Sequence, residues 1–314
     1  MILVTGGLGF IGSHTVQALL DAGEECVLAQ RRAVELPAGR FDRPVAVEQV
    51  DITEPGALLD VGKRHSITGI VHLAGSMPWP PSPDQPVEAA RKAIGGLLNV
   101  LQAAQDWGVR RVGVASTIGV YGAGTGGPLT EDMPLPMDSG HLIPAFKKIG
   151  ELLNGHLADA TGIEIVNHRI SGIWGPLEPH GALFFAAPEL VHAAVRGTEP
   201  DLSSLPAPAY AEDSIDLCYV KDAARAIALL QLTDRLNHRT YNVASGRATT
   251  NAEVIAAIRK VIPGARIDLP AGGSTPQSHL DITRLRQDTG YRPAYDTERA
   301  AADYISWLGA GHER

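Results

Sequence analysis

Met1-Ile2-Leu3-Val4-Thr5-Gly6-Gly7-Leu8-Gly9-Phe10-Ile11-Gly12 decides the fold of this chain. Met1 to Val4 reads as a buried strand, and Thr5 to Gly12 as the turn that follows it. A helical pattern starts at once, through Phe10, Ile11, His14, Thr15, Ala18 and Leu19. A strand, a glycine turn and a helix in that order form a phosphate-binding device. Backbone N–H groups and the helix dipole face a pyrophosphate there, and glycines let the backbone come close. Gly6, Gly9, Phe10, Ile11 and Gly12 are the residues that would meet it. The stretch predicts a bound dinucleotide.

Strands and helices alternate outward from that turn. Residues 25–30, 45–49, 69–73, 112–115 and 164–168 read as strands. Residues 9–22, 55–63, 86–107 and 142–161 read as helices between them. Short apolar strands separated by helices mean a parallel sheet covered on both faces. After Gly175-Pro176 the pattern loosens. Residues 182–196 read as a helix, 197–211 as a loop rich in Pro and Ser, and 222–232 as a helix. A strand at 239–243 and helices at 249–262 and 298–308 follow. The expected architecture is α/β, a Rossmann-type doubly wound parallel sheet with a smaller mixed C-terminal substrate region. Residues 1–172 plus 213–246 would form the dinucleotide domain, and 173–212 plus 247–314 the substrate region. Two short biased stretches, 78–83 and 122–127, follow strands on the edge where ligands bind in such sheets. They read as site walls, or simply as surface loops.

The composition agrees with this class. The chain has 314 residues, 44% of them hydrophobic and 20% charged, enough for a sizeable core. A net charge of −8 argues against a nucleic-acid partner. No apolar run is long enough to span a bilayer, so no membrane role is expected. The first strand begins at Met1, so no signal peptide is expected either. Cys26 and Cys218 sit in strand-like apolar runs and match no metal or redox spacing. Two buried, reduced thiols fit a cytoplasmic protein. Histidines such as His168 and His192 show no ligand spacing, and no metal site is read.

Further segments extend the reading over nearly the whole chain. Asp51-Ile52, His72-Leu73-Ala74-Gly75 and Asn99 to Ala104 come first. Ser116-Thr117-Ile118-Gly119-Val120-Tyr121-Gly122 and Arg169 to Pro176 follow. Tyr219 to Ile227 and Tyr241 to Gly246 complete the set. In this order and spacing, with Thr5-Gly6-x-x-Gly9-x-x-Gly12, the chain resembles the extended short-chain dehydrogenase/reductase family. That family includes the NAD-dependent epimerases and dehydratases. The resemblance places Asp51 and Ile52 at the adenine, and Leu73, Ala74 and Gly75 beside the cofactor. It also implies a homodimer through helices 86–107 and 142–161.

An acidic residue ending the second strand would accept both ribose hydroxyls and select NAD. Here that place holds Gln30, followed by Arg31-Arg32. A neutral residue beside two cations suits a 2′-phosphate, so NADP is expected. NAD stays possible, with Gln30 bonded to the ribose and both arginines solvated.

The resemblance implies a tyrosine four residues before a lysine on one helix. That spacing puts both on one face, where the lysine favours the phenolate and holds the nicotinamide ribose. A serine or threonine on the fifth strand would share the reacting oxygen. Lys147 and Thr117 fill the last two places, but Ile143 stands where the tyrosine belongs. An isoleucine exchanges no proton. On the central helix Gly96 and Asn99 fit the family step, yet Ala93 stands where an asparagine often does. Three explanations stay open. Another side chain does the acid/base work, with His141 the first candidate because histidines titrate near neutrality; Tyr121 and Tyr210 are others. The cofactor is used in a reaction whose proton step water or substrate handles, with a redox-neutral isomerase or lyase on the same scaffold as a separate reading. Or the chain binds its cofactor without turnover, as a sensor or partner.

The expected activity is that of an NAD(P)-dependent oxidoreductase or epimerase/dehydratase, passing hydride to or from a hydroxyl- or carbonyl-bearing carbon of a small molecule or sugar. Sugar-nucleotide members of the family clamp a diphosphate with cations in the second half. Residues 197–220 contain no Lys or Arg, but hold Glu199, Asp201, Glu212, Asp213 and Asp216. Like charges beside a diphosphate cost binding. Trp79, Tyr121, Ile143, Trp174 and Tyr210 are candidates for the pocket wall, with core packing as the alternative for the aromatics.

Overall fold

Alternation along each strand builds both faces of the central sheet. In β1 (Ile2–Thr5), Ile2 and Val4 enter one apolar cluster and Leu3 enters another. Val71 and Ile70 divide in the same way in β4 (Gly69–His72). This period of two is what a strand buried on both faces requires. The computed structural model describes every residue except 34, 35, 37, 38, 76–84, 123–125, 180–183, 274–277, 313 and 314.

Beside β1 and β4 run β2 (Cys26–Gln30), β3 (Ala46–Gln49), β5 (Arg111–Thr117), β7 (Glu164–Ile170) and β10 (Thr240–Val243). They form one seven-stranded sheet in the order β10-β7-β5-β4-β1-β2-β3, with every pairing parallel. Helices α1 (Phe10–Asp21) and α6 (Val220–Leu232) share the apolar cluster on one face. Helices α2 (Leu59–Arg64), α3 (Pro86–Trp107) and α4 (Leu142–Thr161) share the cluster on the other. The chain crosses over between β1 and β4, so the carboxyl ends of those strands open a crevice.

A second core lies outside the sheet. It gathers residues from α5 (Ala187–Arg196), α7 (Asn251–Val261) and α9 (Thr297–Gly309) around Trp174, Leu190 and Tyr304. A mixed three-stranded sheet accompanies it. In that sheet β9 (Ser214–Tyr219) pairs parallel with β8 (Gly172–Trp174) and antiparallel with β11 (Ala248–Thr250). Strands β6 (Gly127–Leu129) and β12 (Ser278–Leu280) make a parallel pair, and α8 (Thr283–Thr289) completes the described elements.

The doubly wound parallel sheet and the smaller mixed sheet are those expected. Helices 86–107 and 142–161 fall on the expected bounds. Helix 55–63 shrinks to α2, because Gly56 takes φ +76° and residues 51–58 close tight turns instead. Strand β9 was read only as a strand-like apolar run around Cys218, without bounds, and helix α8 escaped the sequence reading. The first follows a Pro/Ser-rich loop directly, and the second has a single buried residue, Leu285, to mark its face.

Candidate active site

The glycine turn is shaped by close backbone approach. Gly6 has φ +72°, and a Cβ there would stand 2.9 Å from the Ala74 nitrogen. At Gly12 a Cβ would come 2.0 Å from the Gly6 carbonyl oxygen. Gly9 donates to that same carbonyl at 3.0 Å and caps α1 with no side chain of its own. The first turn of α1, from Phe10 through Gly12, carries no acidic residue. Its outward N–H groups and positive dipole end fit a pyrophosphate.

A groove of about 570 Å³ runs from this turn. Gly6, Gly9, Gln30, Arg31, Asp51, Ile52, Leu73, Ala74 and Gly75 line it together, and Glu88 and Lys92 of α3 form its far wall. Gln30 ends β2, and its amide carbonyl accepts from Gly7 N at 3.2 Å and Leu8 N at 3.1 Å. The Gln30 carbonyl thus steadies the turn. Burial works against the Asp51 carboxylate, but the Thr53 N–H at 2.9 Å and hydroxyl at 2.8 Å hold its pKa below the ordinary value. Asn99 of α3 donates to the Ile52 carbonyl at 2.9 Å and fixes this wall. Arg32 is exposed beyond the groove lining. A dinucleotide fits this set: an anion cradle at one end and a neutral strand end beside a cation at the other.

Ala74 and Gly75 also line a second cavity, of about 170 Å³, between β5 and helices α3 and α4. Ala93, Ile143 and Lys147 all face it. The two sequence departures therefore share one space with the retained lysine. Lys147 Nζ donates to the Ala115 carbonyl at 2.6 Å. Burial lowers the Lys147 ammonium to about 8, against the pull of the Glu151 carboxylate. His72 lines the same cavity and bonds Thr5 Oγ1 through Nδ1 at 2.7 Å. Burial, with the Lys147 charge, takes His72 down to about 3, so its ring is neutral.

A buried ion pair backs this cavity. Arg169 Nη2 meets Glu151 Oε2 at 2.7 Å, and Ser116 Oγ donates to Glu151 Oε1 at 2.5 Å. Asn154 Nδ2 donates to Asn167 Oδ1 at 2.7 Å, while Asn154 Oδ1 has no hydrogen-bond partner. Sequence reasoning passed over Arg169, Asn154 and Asn167. Helical spacing from Lys147 to Glu151 to Asn154 was the available signal.

The other predicted residues lie apart. Thr117 ends β5, where its hydroxyl accepts from Gly119 N at 3.2 Å. His141 caps α4 at the surface, its ring stacked on Phe184 at 6.1 Å. Tyr121 is buried, donating to Asn242 Oδ1 at 2.8 Å and accepting from Arg169 Nη1 at 3.0 Å. That hydroxyl belongs to an interior network. Trp174, 1% exposed, packs edge-on against Tyr219 and Tyr304 in the second core. Tyr210 is half-buried in a turn closed by its N–H to Asp213 Oδ2 at 2.8 Å. Trp79 lies outside the described residues, as does the whole of the 78–83 stretch. Among the described residues no three His, Cys, Asp or Glu side chains gather as a metal site.

A parallel sheet with a glycine-turn groove at its crossover, and a lysine from the following helix beside it, defines a dinucleotide-binding enzyme class. The sequence model of the NAD dependent epimerase/dehydratase family matches residues 2–244, and the chain belongs to that family. Its members are enzymes of the extended short-chain dehydrogenase/reductase type, which move hydride to and from a nicotinamide at a hydroxyl- or carbonyl-bearing carbon. The chain is 31% identical to a UDP-glucose 4-epimerase of Azospirillum brasilense, over 98% of this chain and 91% of that protein. It is 30% identical to the UDP-glucose 4-epimerase of Lacticaseibacillus casei, over 94% and 92%. The fold matches UDP-glucose 4-epimerase from Thermotoga maritima with UDP-glucose, at TM-score 0.82 and 21% identity over 99% of both chains. It also matches the Thermus thermophilus UDP-glucose 4-epimerase complex with NAD, at TM-score 0.77 and 25% identity over 98% of both. No described helix is long and apolar enough to cross a membrane.

Proposed function

We propose that this protein moves hydride between a nicotinamide cofactor and a hydroxyl- or carbonyl-bearing carbon of a small molecule, with an acid/base group other than tyrosine. One observation carries the reading: Ala74 and Gly75 line both the dinucleotide groove and the cavity that holds Lys147. When bound, the nicotinamide supplies the hydride acceptor or donor. Thr117 would hold the reacting oxygen. Lys147 would bind the nicotinamide ribose and set the local charge. His141, at the mouth of α4, would exchange the proton, because Ile143 has none to give. The relatives are epimerases, and an epimerase or an oxidoreductase would use the same residues. Residues 1–172 plus 213–246 would hold the cofactor, and 173–212 plus 247–314 the substrate.

Gln30 leaves the ribose end of the groove without a carboxylate, and Arg31 adds a cation there. These two residues support NADP over NAD. Two copies would associate through α3 and α4, whose Leu98, Ile149 and Leu152 are exposed apolar side chains. Buried, unpaired Cys26 and Cys218 support a cytoplasmic location.

The test is nicotinamide absorbance of the cofactor-loaded protein against a panel of alcohols, ketones and sugars. The reading expects turnover with at least one, lost in His141→Ala and Lys147→Met. No absorbance change and no interconversion of sugar epimers, followed by proton NMR, across the panel would overturn it. A second reading, favoured by Ile143, is a cofactor-binding partner without turnover. It expects tight cofactor binding, no turnover, and turnover gained in Ile143→Tyr.

A further inference from the structure

A third cavity, of about 260 Å³, lies beside the carboxyl edge of the sheet, where the chain leaves β7 and enters β8. Phe184, Phe185, Leu205, Pro206, Ala209 and Ile215 form much of its apolar wall. Phe184 stacks on His141, the cap of α4, so this cavity opens beside the helix that carries Ile143 and Lys147. Ile215 and Phe185 meet over Gly172, at the start of β8.

The 205–209 loop and residues 213–215 build its outer side. The Ala211 N–H donates to the Pro270 carbonyl at 2.9 Å, and the Glu212 N–H to the Gly272 carbonyl at 2.8 Å. These bonds clamp that loop to residues 270–272. Neither 197–220 nor 267–283 contains a Lys or Arg, and together they carry Glu199, Asp201, Glu212, Asp213, Asp216, Asp268 and Asp281. Cations bordering them are turned to other partners. Arg266 donates to the Gly197 carbonyl, Lys221 pairs with Asp303 at 2.7 Å, and Arg284 pairs with Asp132. Two polar side chains of the lining hold its own turn as well. Asp213 Oδ2 accepts from Tyr210 N, and Asn251 Nδ2 donates to the Tyr210 carbonyl at 2.8 Å.

We infer that this cavity receives the apolar, uncharged end of the substrate, so that the protein takes neutral small molecules bearing a ring or chain rather than nucleoside diphosphates. A diphosphate needs cations or an array of N–H donors to offset its desolvation. An apolar ring gains by filling the site, and the acidic segments repel a polyanion. This rests on the hydride-transfer reading for the other end of the substrate, where the hydroxyl or carbonyl carbon reacts.

The experiment is calorimetric titration of the cofactor-loaded protein with 4-phenyl-2-butanol, with 2-butanol, and with UDP. Burial of the phenyl ring predicts that the first binds about tenfold or more tighter than the second. UDP is expected to give no saturable binding. Ile215→Arg, and Ala207→Asp as an independent substitution on the loop, should each weaken the phenyl compound roughly tenfold, with cofactor affinity confirming the fold. Saturable UDP binding, equal affinity for the two alcohols, or phenyl binding unmoved by both variants would overturn the inference. Binding is read without turnover. Ring-dependent binding with a silent nicotinamide would sink the hydride-transfer reading and leave the cavity assignment standing.

Discussion

At the scale of single residues, the site depends on atoms that are not there. Gly12 has no Cβ, and a Cβ would overlap the Gly6 carbonyl oxygen. Gly12→Val should therefore abolish cofactor binding, measured by fluorescence of the bound reduced nicotinamide, while far-UV circular dichroism stays native. Three histidines are held neutral by burial: His14 at about 4, and His72 and His168 at about 3. Each lies below its unfolded value of 6.5, so the unfolded chain binds more protons as the pH falls. Their contribution is complete above pH 6.5 and is lost towards pH 3 to 4. Stability should drop by about 1.4 kcal/mol per pH unit for each histidine in this window. Neither His168 nitrogen has a hydrogen-bond partner. Urea melts of His168→Leu should show a shallower acid slope and stability at pH 7 equal to or above that of the parent.

At the scale of elements, α4 is tied to the sheet by charge. Glu151 projects from α4 to Arg169 of β7 and Ser116 of β5, with both ionic partners buried. Removing the carboxylate would leave the guanidinium buried without its counter-charge. Glu151→Gln should cost about 3–5 kcal/mol in denaturant unfolding. Because Lys147 lies one turn away on the same helix, cofactor affinity should fall with it. The second core has its own fastening. Thr250 and Glu253 form a reciprocal capping box at the start of α7. Thr250→Ala should lower stability by about 1 kcal/mol.

At the scale of the whole molecule, two helices leave an apolar face uncovered. Val87 and Leu98 of α3 and Ile149 and Leu152 of α4 are exposed, Leu152 at 71%. Scattered exposed apolar residues are ordinary, but four on two adjacent helices fit a self-complementary interface. Light scattering after size exclusion should show a dimer, and Leu152→Glu should shift it to monomer.

Much of the fold was legible because its signals are local. The glycine turn, the unbroken apolar run of Ile2, Leu3 and Val4, and the apolar stripes of α3 and α4 are all written in neighbouring residues. Strand β9 was legible only as an apolar run around Cys218, since its bounds rest on pairing with β8 and with β11, a distant partner. The cofactor groove was nearly readable as well, as a backbone motif fixes where an anion can sit. The sequence by itself determined the sheet, the anion cradle, and the facts that Ile143 and Ala93 cannot carry protons. Only the tertiary structure decided that Ile143, Ala93 and Lys147 face one cavity, that Tyr121 and Trp174 turn inward, and that a cation-free loop closes an apolar pocket. Backbone geometry is set by nearest neighbours along the chain, whereas the environment of a side chain is set by residues a hundred positions away.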